Sequence, residues 1–212
     1  RAVIFDMDGV LVLTERAHWE SWRAVGTPRG VDITYPAFLS CFGRVNPDCI
    51  RILFGAHLSA QEGELIAEEK EAAFRDLIRR DVPLAPGVRP LLEELRATGC
   101  ALALGSSAPP ENVDLVLDVG GLRPYFGAVV HGKQVTRGKP APDIFLLAAE
   151  RLGVAPPRCV VVEDAPAGIE AAVAARMRAF GVATTHTREQ LMAAGAHRVL
   201  PALADLTSAV LR

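Results

Sequence analysis

Lysine is nearly missing from this chain. Its cations are mostly arginines, and Lys70, Lys133 and Lys139 are the only lysines, so a mechanism that needs an ammonium group has few candidates. Lys and Arg nowhere cluster into a block, and the formal net charge is −2. A general nucleic-acid or membrane-surface binder needs a basic patch to meet phosphates, so neither partner is expected. No apolar run approaches the roughly 20 residues that span a bilayer. The strand-like Ala2-Val3-Ile4-Phe5 has no positively charged and apolar leader before it. The four cysteines (41, 49, 100 and 159) form no CxxC and no metal-ligand spacing. Cys100 and Cys159 lie in or beside apolar runs and read as small buried hydrophobes. A reducing cytoplasm is the expected location.

The chain has 212 residues, half of them hydrophobic. That suffices for one medium domain, or for a core carrying a small insert. After the first strand comes the acidic turn Asp6-Met7-Asp8-Gly9. From about residue 14 to 82 the apolar spacing is helical. His18, Trp19 and Trp22 follow it, as do Ile50, Leu53 and Phe54, then Leu65, Ala72, Phe74, Leu77 and Ile78. Pro83, Pro86 and Gly87 break the pattern. Helices are then predicted over residues 90–98, 111–119, 143–152 and 168–178. Strands are predicted over 100–104, 128–130, 159–162, 179–182 and 197–200. Continuous apolar strands alternating with helices predict an α/β fold, a parallel sheet covered by helices on both faces.

In such a sheet, ligands bind beyond the carboxyl ends of the strands, and the polar residues collect there. Asp6 and Asp8 follow the first strand, Ser106 and Ser107 follow Leu104, and Glu163-Asp164 follow Val162. Lys139 lies in the loop opening the 143–152 helix. Each has an ordinary structural explanation: a capped turn for the D-x-D, an N-cap for the serines, a solvated loop charge for Lys139, another cap for Glu163-Asp164. Those explanations do not account for four junctions converging on one sheet edge. Clustered carboxylates repel unless a cation sits among them, and oxygen ligands suit Mg²⁺. Lys139, the Ser106 hydroxyl and backbone N–H groups after Asp8 and Gly105 can hold phosphate oxygens. A second acid two residues beyond a nucleophilic carboxylate can protonate a leaving oxygen and then activate water.

The motifs Phe5-Asp6-Met7-Asp8-Gly9-Val10-Leu11, Leu104-Gly105-Ser106-Ser107, Gly138-Lys139-Pro140-Ala141-Pro142-Asp143 and Val162-Glu163-Asp164-Ala165-Pro166-Ala167-Gly168 resemble, in order and over almost the whole chain, those of the haloacid-dehalogenase superfamily. The resemblance implies a Rossmann-like core, with Asp6 as nucleophile and Asp8 as general acid/base. It implies Ser106 and Lys139 on phosphate, with Gly9 and Ser107 nearby. Mg²⁺ would be held by Asp6, Asp8 (through its carbonyl) and Asp164, with Glu163 counted in the metal set. The helical block resembles the small cap of the phosphoglycolate phosphatase and β-phosphoglucomutase subfamily. The expected division is a core of residues 1–13 and 84–212 and a cap of residues 14–83.

Within the cap, Gly43-Arg44-Val45-Asn46 resembles a substrate-specificity loop, which makes Arg44 and Asn46 substrate-facing candidates. His18 lies where the mutase has its hinge-region histidine, as a proton relay or a packing residue. Trp19 and Trp22 read as packing, Asn112 as a helix cap, and Lys70 as one charge in the run Glu68-Glu69-Lys70-Glu71. Asn46 stands where the mutase keeps a cap arginine, and Ala108-Pro109-Pro110 replaces its second phosphate grip. The expectation is therefore a phosphatase acting on a small phosphorylated metabolite, a sugar phosphate or a phosphoglycolate-like compound. A sugar phosphomutase is the alternative, a non-catalytic binding module a distant third, and a monomer or weak dimer the expected assembly.

Overall fold

In the computed structural model, which describes residues 1–209, six parallel strands form one sheet in the order β3-β2-β1-β4-β5-β6. They are β1 (Ala2–Phe5), β2 (Ala101–Ser106), β3 (Ala128–His131), β4 (Cys159–Glu163), β5 (Arg178–Val182) and β6 (Arg198–Leu200). β1 is central, pairing Phe5 with Leu104 on one side and with Val162 on the other. The strands are apolar without interruption because helices cover both faces. With side chains alternating across the sheet, Val3, Phe5, Leu104 and Val162 enter one core, and Ala2, Ile4, Ala103 and Val161 the other.

Helices α5 (Val88–Ala97), α6 (Pro110–Val119), α7 (Asp143–Leu152), α8 (Pro166–Ala174) and α9 (Arg188–Ala193) cover the sheet. Before them, between β1 and α5, come α1 (Glu15–Gly26), α2 (Tyr35–Leu39), α3 (Asn46–Phe54) and α4 (Ala60–Ile78). These four carry an apolar cluster of their own, including Trp22, Ile33, Phe38, Ile50, Phe54 and Ile66. Phe74 and Ile78, in the last turns of α4, pack instead into the core beneath the sheet. The chain enters and leaves this block side by side: Val12 forms an isolated antiparallel bridge with Leu84, the Leu13 amide donates to the Pro83 carbonyl at 2.8 Å, and the Ala85 amide to the Leu11 carbonyl at 2.8 Å.

Helix α8 ends at Ala174, four residues short of the sequence expectation. Arg176 adopts a left-handed φ of 58°. The Arg176 amide then donates to the Val173 carbonyl and the Met177 amide to the Ala172 carbonyl. This is a Schellman stop with arginine where glycine is usual, and it frees Arg178 to begin β5.

Candidate active site

The ends of β1, β2 and β4 lie side by side, so their loops open onto one cleft. The turn after β1 is tight: the Leu11 and Val12 amides both donate to the Met7 carbonyl, and the Gly9 amide donates to the Val12 carbonyl at 2.7 Å. Gly9 has φ +79°, and a Cβ there would lie 1.9 Å from Asp164 Oδ2. Only glycine lets the Asp164 carboxylate sit against this turn. Gly168 plays the same part for Glu163, whose Oε1 would be 1.8 Å from an added Cβ.

Lys139 reaches into this space from the loop between β3 and α7. It is 1% exposed. Its Nζ donates to Asp6 Oδ1 at 2.5 Å and to Glu163 Oε1 at 2.7 Å. The other Glu163 oxygen accepts the amides of Asp164 (2.8 Å) and Ala165 (2.9 Å). Asp164 Oδ2 accepts the Thr185 hydroxyl at 2.5 Å, and the Asp164 carbonyl contacts Thr185 and His186.

Three buried carboxylates thus face one buried ammonium. Burial pushes the Asp6 carboxyl up to about 7, with Glu163 and Asp8 adding repulsion that Lys139 only partly offsets. Burial and the charges of Glu163 and Asp6 likewise hold Asp164 well above the usual carboxylate range. Burial opposes the charge on Lys139, but Asp6 and Glu163 outweigh it and raise the ammonium above its ordinary value. Ligand oxygens of Asp6, Glu163 and Asp164 all lie within 4.8 Å of one another. An all-oxygen cluster short of positive charge is suited to a hard divalent cation.

Asp8 has a different environment. Its Oδ1 accepts the Thr14 hydroxyl at 2.5 Å and lies 3.0 Å from His18 Nε2. His18 Nδ1 is 2.8 Å from Lys70 Nζ, and the ring stacks on Phe74 with centroids 3.8 Å apart. An ammonium can only donate, so Nδ1 accepts and Nε2 carries the proton directed at Asp8. Burial alone raises the Asp8 carboxyl; His18, Thr14 and Lys70 more than offset it and leave it below its ordinary value. Two carboxyls two residues apart are therefore driven in opposite directions.

The remaining sequence candidates divide. Ser106, Ser107, His18, Arg44 and Asn46 line one cavity with Asp6 and Asp8. Ser106 is buried, its Oγ accepting the Ala108 amide at 3.1 Å. Two groups expected on phosphate are committed elsewhere. The Gly9 amide closes its own turn, and the Ser107 hydroxyl donates across the cleft to the Gly43 carbonyl at 3.0 Å. Asn112 is not a helix cap but a fully buried bridge: its Nδ2 donates to Glu71 and its Oδ1 accepts from Arg75 at 3.0 Å. Trp22 packs in the helical cluster, and the Trp19 indole donates to the Ile33 carbonyl.

The sequence does not single out Glu71, Thr14 or Thr185 as site residues. Lys70 carries a signal of its own, since Ile66, Lys70, Phe74 and Ile78 recur every four residues on one buried helix face.

The cavity measures about 50 Å³, room for a phosphate-sized group but far below the few hundred Å³ of ordinary ligand clefts. A neighbouring groove of about 450 Å³, bordered by Pro166 and His186, shares Phe42 and Arg44 with this cavity. No helix among the described residues is long and apolar enough to cross a membrane.

Residues 1–176 match the model of the haloacid dehalogenase-like hydrolases. The chain is 37% identical over 202 residues to a phosphorylated carbohydrates phosphatase of Thermotoga maritima, covering 92% of this chain and 91% of that one. It is 36% identical over 183 residues to the fructose-1-phosphate phosphatase YqaB of Escherichia coli, covering 85% and 95%. Among solved structures, a β-phosphoglucomutase from Clostridium difficile superposes with a TM-score of 0.89 at 29% identity, covering 99% and 94%. With four-fifths of its length matched by the family model and near full-length relatives, the chain belongs to the haloacid dehalogenase-like hydrolase family.

Proposed function

We propose that the chain hydrolyses a small phosphorylated metabolite, a sugar phosphate above all, through a phosphorylated Asp6. The observation that carries this reading is the contrast between Asp6, gripped by Lys139 among further carboxylates, and Asp8, held apart by Thr14 and His18. One is placed to attack and the other to move protons. The phosphatase relatives act on related compounds, as their names state.

An Asp6 carboxylate oxygen bonds to phosphorus as the ester P–O bond breaks. Asp8, whose Oδ1 is taken by Thr14 and His18, presents Oδ2; as an ionised carboxylate it takes up the proton carried in by a phosphate monoester monoanion and passes it to the departing alkoxide. Ser106 and Lys139 bind the equatorial phosphate oxygens. The same Asp8 carboxylate then takes a proton from water as that water attacks the aspartyl phosphate, restoring Asp6 and releasing phosphate. The oxygens of Asp6 and Asp164 and the Asp8 carbonyl suit Mg²⁺, with Glu163 beside them fixing Lys139. When bound, the ion would offset phosphate and carboxylate charge during attack. We read residues 14–83 as a cap that swings on the bridge between Val12 and Leu84 over a core of residues 1–13 and 84–212, of which 210–212 lie outside the described residues. Ser107–Gly43 and Glu71–Asn112 contacts then form on closure.

The test is a panel of phosphorylated metabolites assayed with Mg²⁺ for free phosphate and for isomerised product. Phosphate release that falls roughly 10³-fold or more in Asp6→Asn supports the reading. Turnover retained in that variant, or undiminished by chelator, sinks it. Isomerised product without phosphate would assign a mutase instead.

A further inference from the structure

The leaving group must meet the part of the cavity wall that Asp6 and Ser106 do not supply, and the charges there are unusual. Lys70, the only lysine of residues 14–83, is 2% exposed and lines that cavity, its Nζ 2.8 Å from His18 Nδ1. Alone it would attract any second anionic group on a substrate. It is instead paired with Glu71 Oε1 at 2.8 Å, and both side chains line the cavity. The Glu71 carboxylate is further fixed by the Asn46 amide at 2.8 Å and by Asn112 from the opposite wall. Burial favours the neutral acid, but Lys70 and His18 outweigh it and hold Glu71 below its usual range. The other cation on the wall, Arg44, is shared with the neighbouring groove.

We propose that Glu71 is a specificity-determining residue. By neutralising Lys70 and placing a fixed carboxylate on the leaving-group wall, it admits an uncharged, hydroxyl-bearing leaving group and rejects one carrying a second phosphate or a carboxylate. Asn46, one N–H of whose amide is held by Glu71, keeps its carbonyl oxygen to accept a substrate hydroxyl. Discrimination of this kind works by building in repulsion against the wrong ligand rather than by adding contacts to the right one. The assignment rests on the phosphatase reading above, and it narrows that reading from phosphorylated metabolites in general to neutral polyol monophosphates.

The test compares kcat/KM for a ketohexose 1-phosphate with that for the same ketohexose 1,6-bisphosphate, measured as phosphate release in excess Mg²⁺. Glu71→Gln is expected to raise the bisphosphate-to-monophosphate ratio by roughly tenfold, because Lys70 is then uncompensated and like-charge repulsion is gone. Lys70→Gln should move the ratio the other way while lowering kcat for both, and it carries the test if Glu71→Gln does not fold. Glu71→Asp, which keeps the charge, should keep the wild-type ratio. Ser107→Ala removes the contact with the Gly43 carbonyl without touching the Lys70–Glu71 pair or changing charge, and it should lower both kcat/KM values by the same factor. An unchanged ratio in both Glu71→Gln and Lys70→Gln would overturn the assignment, as would a ratio that moves equally in Ser107→Ala. If instead the wild type releases no phosphate from either sugar, or does so without Asp6, the underlying functional reading fails first.

Discussion

Asp6 and Lys139 form a buried pair inside a cluster with surplus negative charge, and the surplus has a measurable effect on stability. The Asp6 carboxyl lies at about 7 in the folded chain against an ordinary 3.8. Between those values the native state holds a proton that the unfolded chain has released. This group's contribution to stability therefore falls as pH rises from about 4 to 7, and the penalty is complete above 7. Asp6→Asn removes it, and Glu163 remains to pair Lys139 at 2.7 Å. In metal-free protein kept in chelator, Asp6→Asn should melt several degrees above wild type at pH 8, with the gain shrinking towards pH 4. Thermal melts across that range check this. A variant that melts below wild type at pH 8 would mean that the Asp6–Lys139 bond outweighs the crowding. Mg²⁺ should close the gap at pH 8 by stabilising wild type, because it supplies the missing charge.

At the scale of elements, helix and strand types were legible wherever a single periodicity dominated, as in residues 159–162 and 143–152. Three kinds of feature were not. The end of α8 is set by a backbone turn at Arg176, a residue type that gives no stop signal. Lys70 and Glu71 read locally as part of a charged run, yet the helix period that places Ile66 and Phe74 inside carries Lys70 in with them. Asn112 opens a helix in sequence, but its partners Glu71 and Arg75 lie 41 and 37 residues away, beyond any local pattern. The acidic and basic site residues were legible because each ends an apolar strand. Their second partners, Thr14 and Thr185, depend on side-chain directions that the sequence does not encode visibly. The α8 stop makes its own prediction. A non-glycine residue at left-handed φ costs about 1–2 kcal/mol, and glycine loses about 0.5–1 kcal/mol of unfolded-chain entropy in return. Arg176 is exposed and remote from the cleft. Arg176→Gly should thus raise Tm by about 1–3 °C with unchanged kcat; a lower Tm would show that the arginine side chain stabilises this corner through its own contacts.

For the whole molecule, the narrowness of the cavity, about 50 Å³, goes with the proposed reading of residues 14–83 as a cap that moves away from the sheet edge and returns. The polar contacts resisting this are few: the Ser107 hydroxyl on the Gly43 carbonyl, Asn112 between Glu71 and Arg75, and His18 and Thr14 on Asp8, beside the apolar packing of Phe74 and Ile78 into the core. Each polar contact can exchange with water when the cleft opens, which keeps its net contribution to the cost of opening small. Closure, by contrast, assembles the Lys70–His18–Asp8 chain. The chain's two tryptophans, Trp19 and Trp22, both lie on α1, and Trp22 lines the cavity, buried beneath Lys70 at 5.3 Å. Opening must wet Trp22 and leave Trp19, which packs against Tyr35 and the Ile33 carbonyl, largely as it is. Addition of Mg²⁺ with orthovanadate, which occupies phosphate sites, should therefore shift tryptophan emission to the blue and reduce quenching by acrylamide. Trp19→Phe should retain both changes and Trp22→Phe should abolish them. Emission and quenching that do not respond to Mg²⁺ and vanadate in a variant shown to bind them would mean that the helical block stays closed, and that substrate enters by way of the groove beside Arg44 alone.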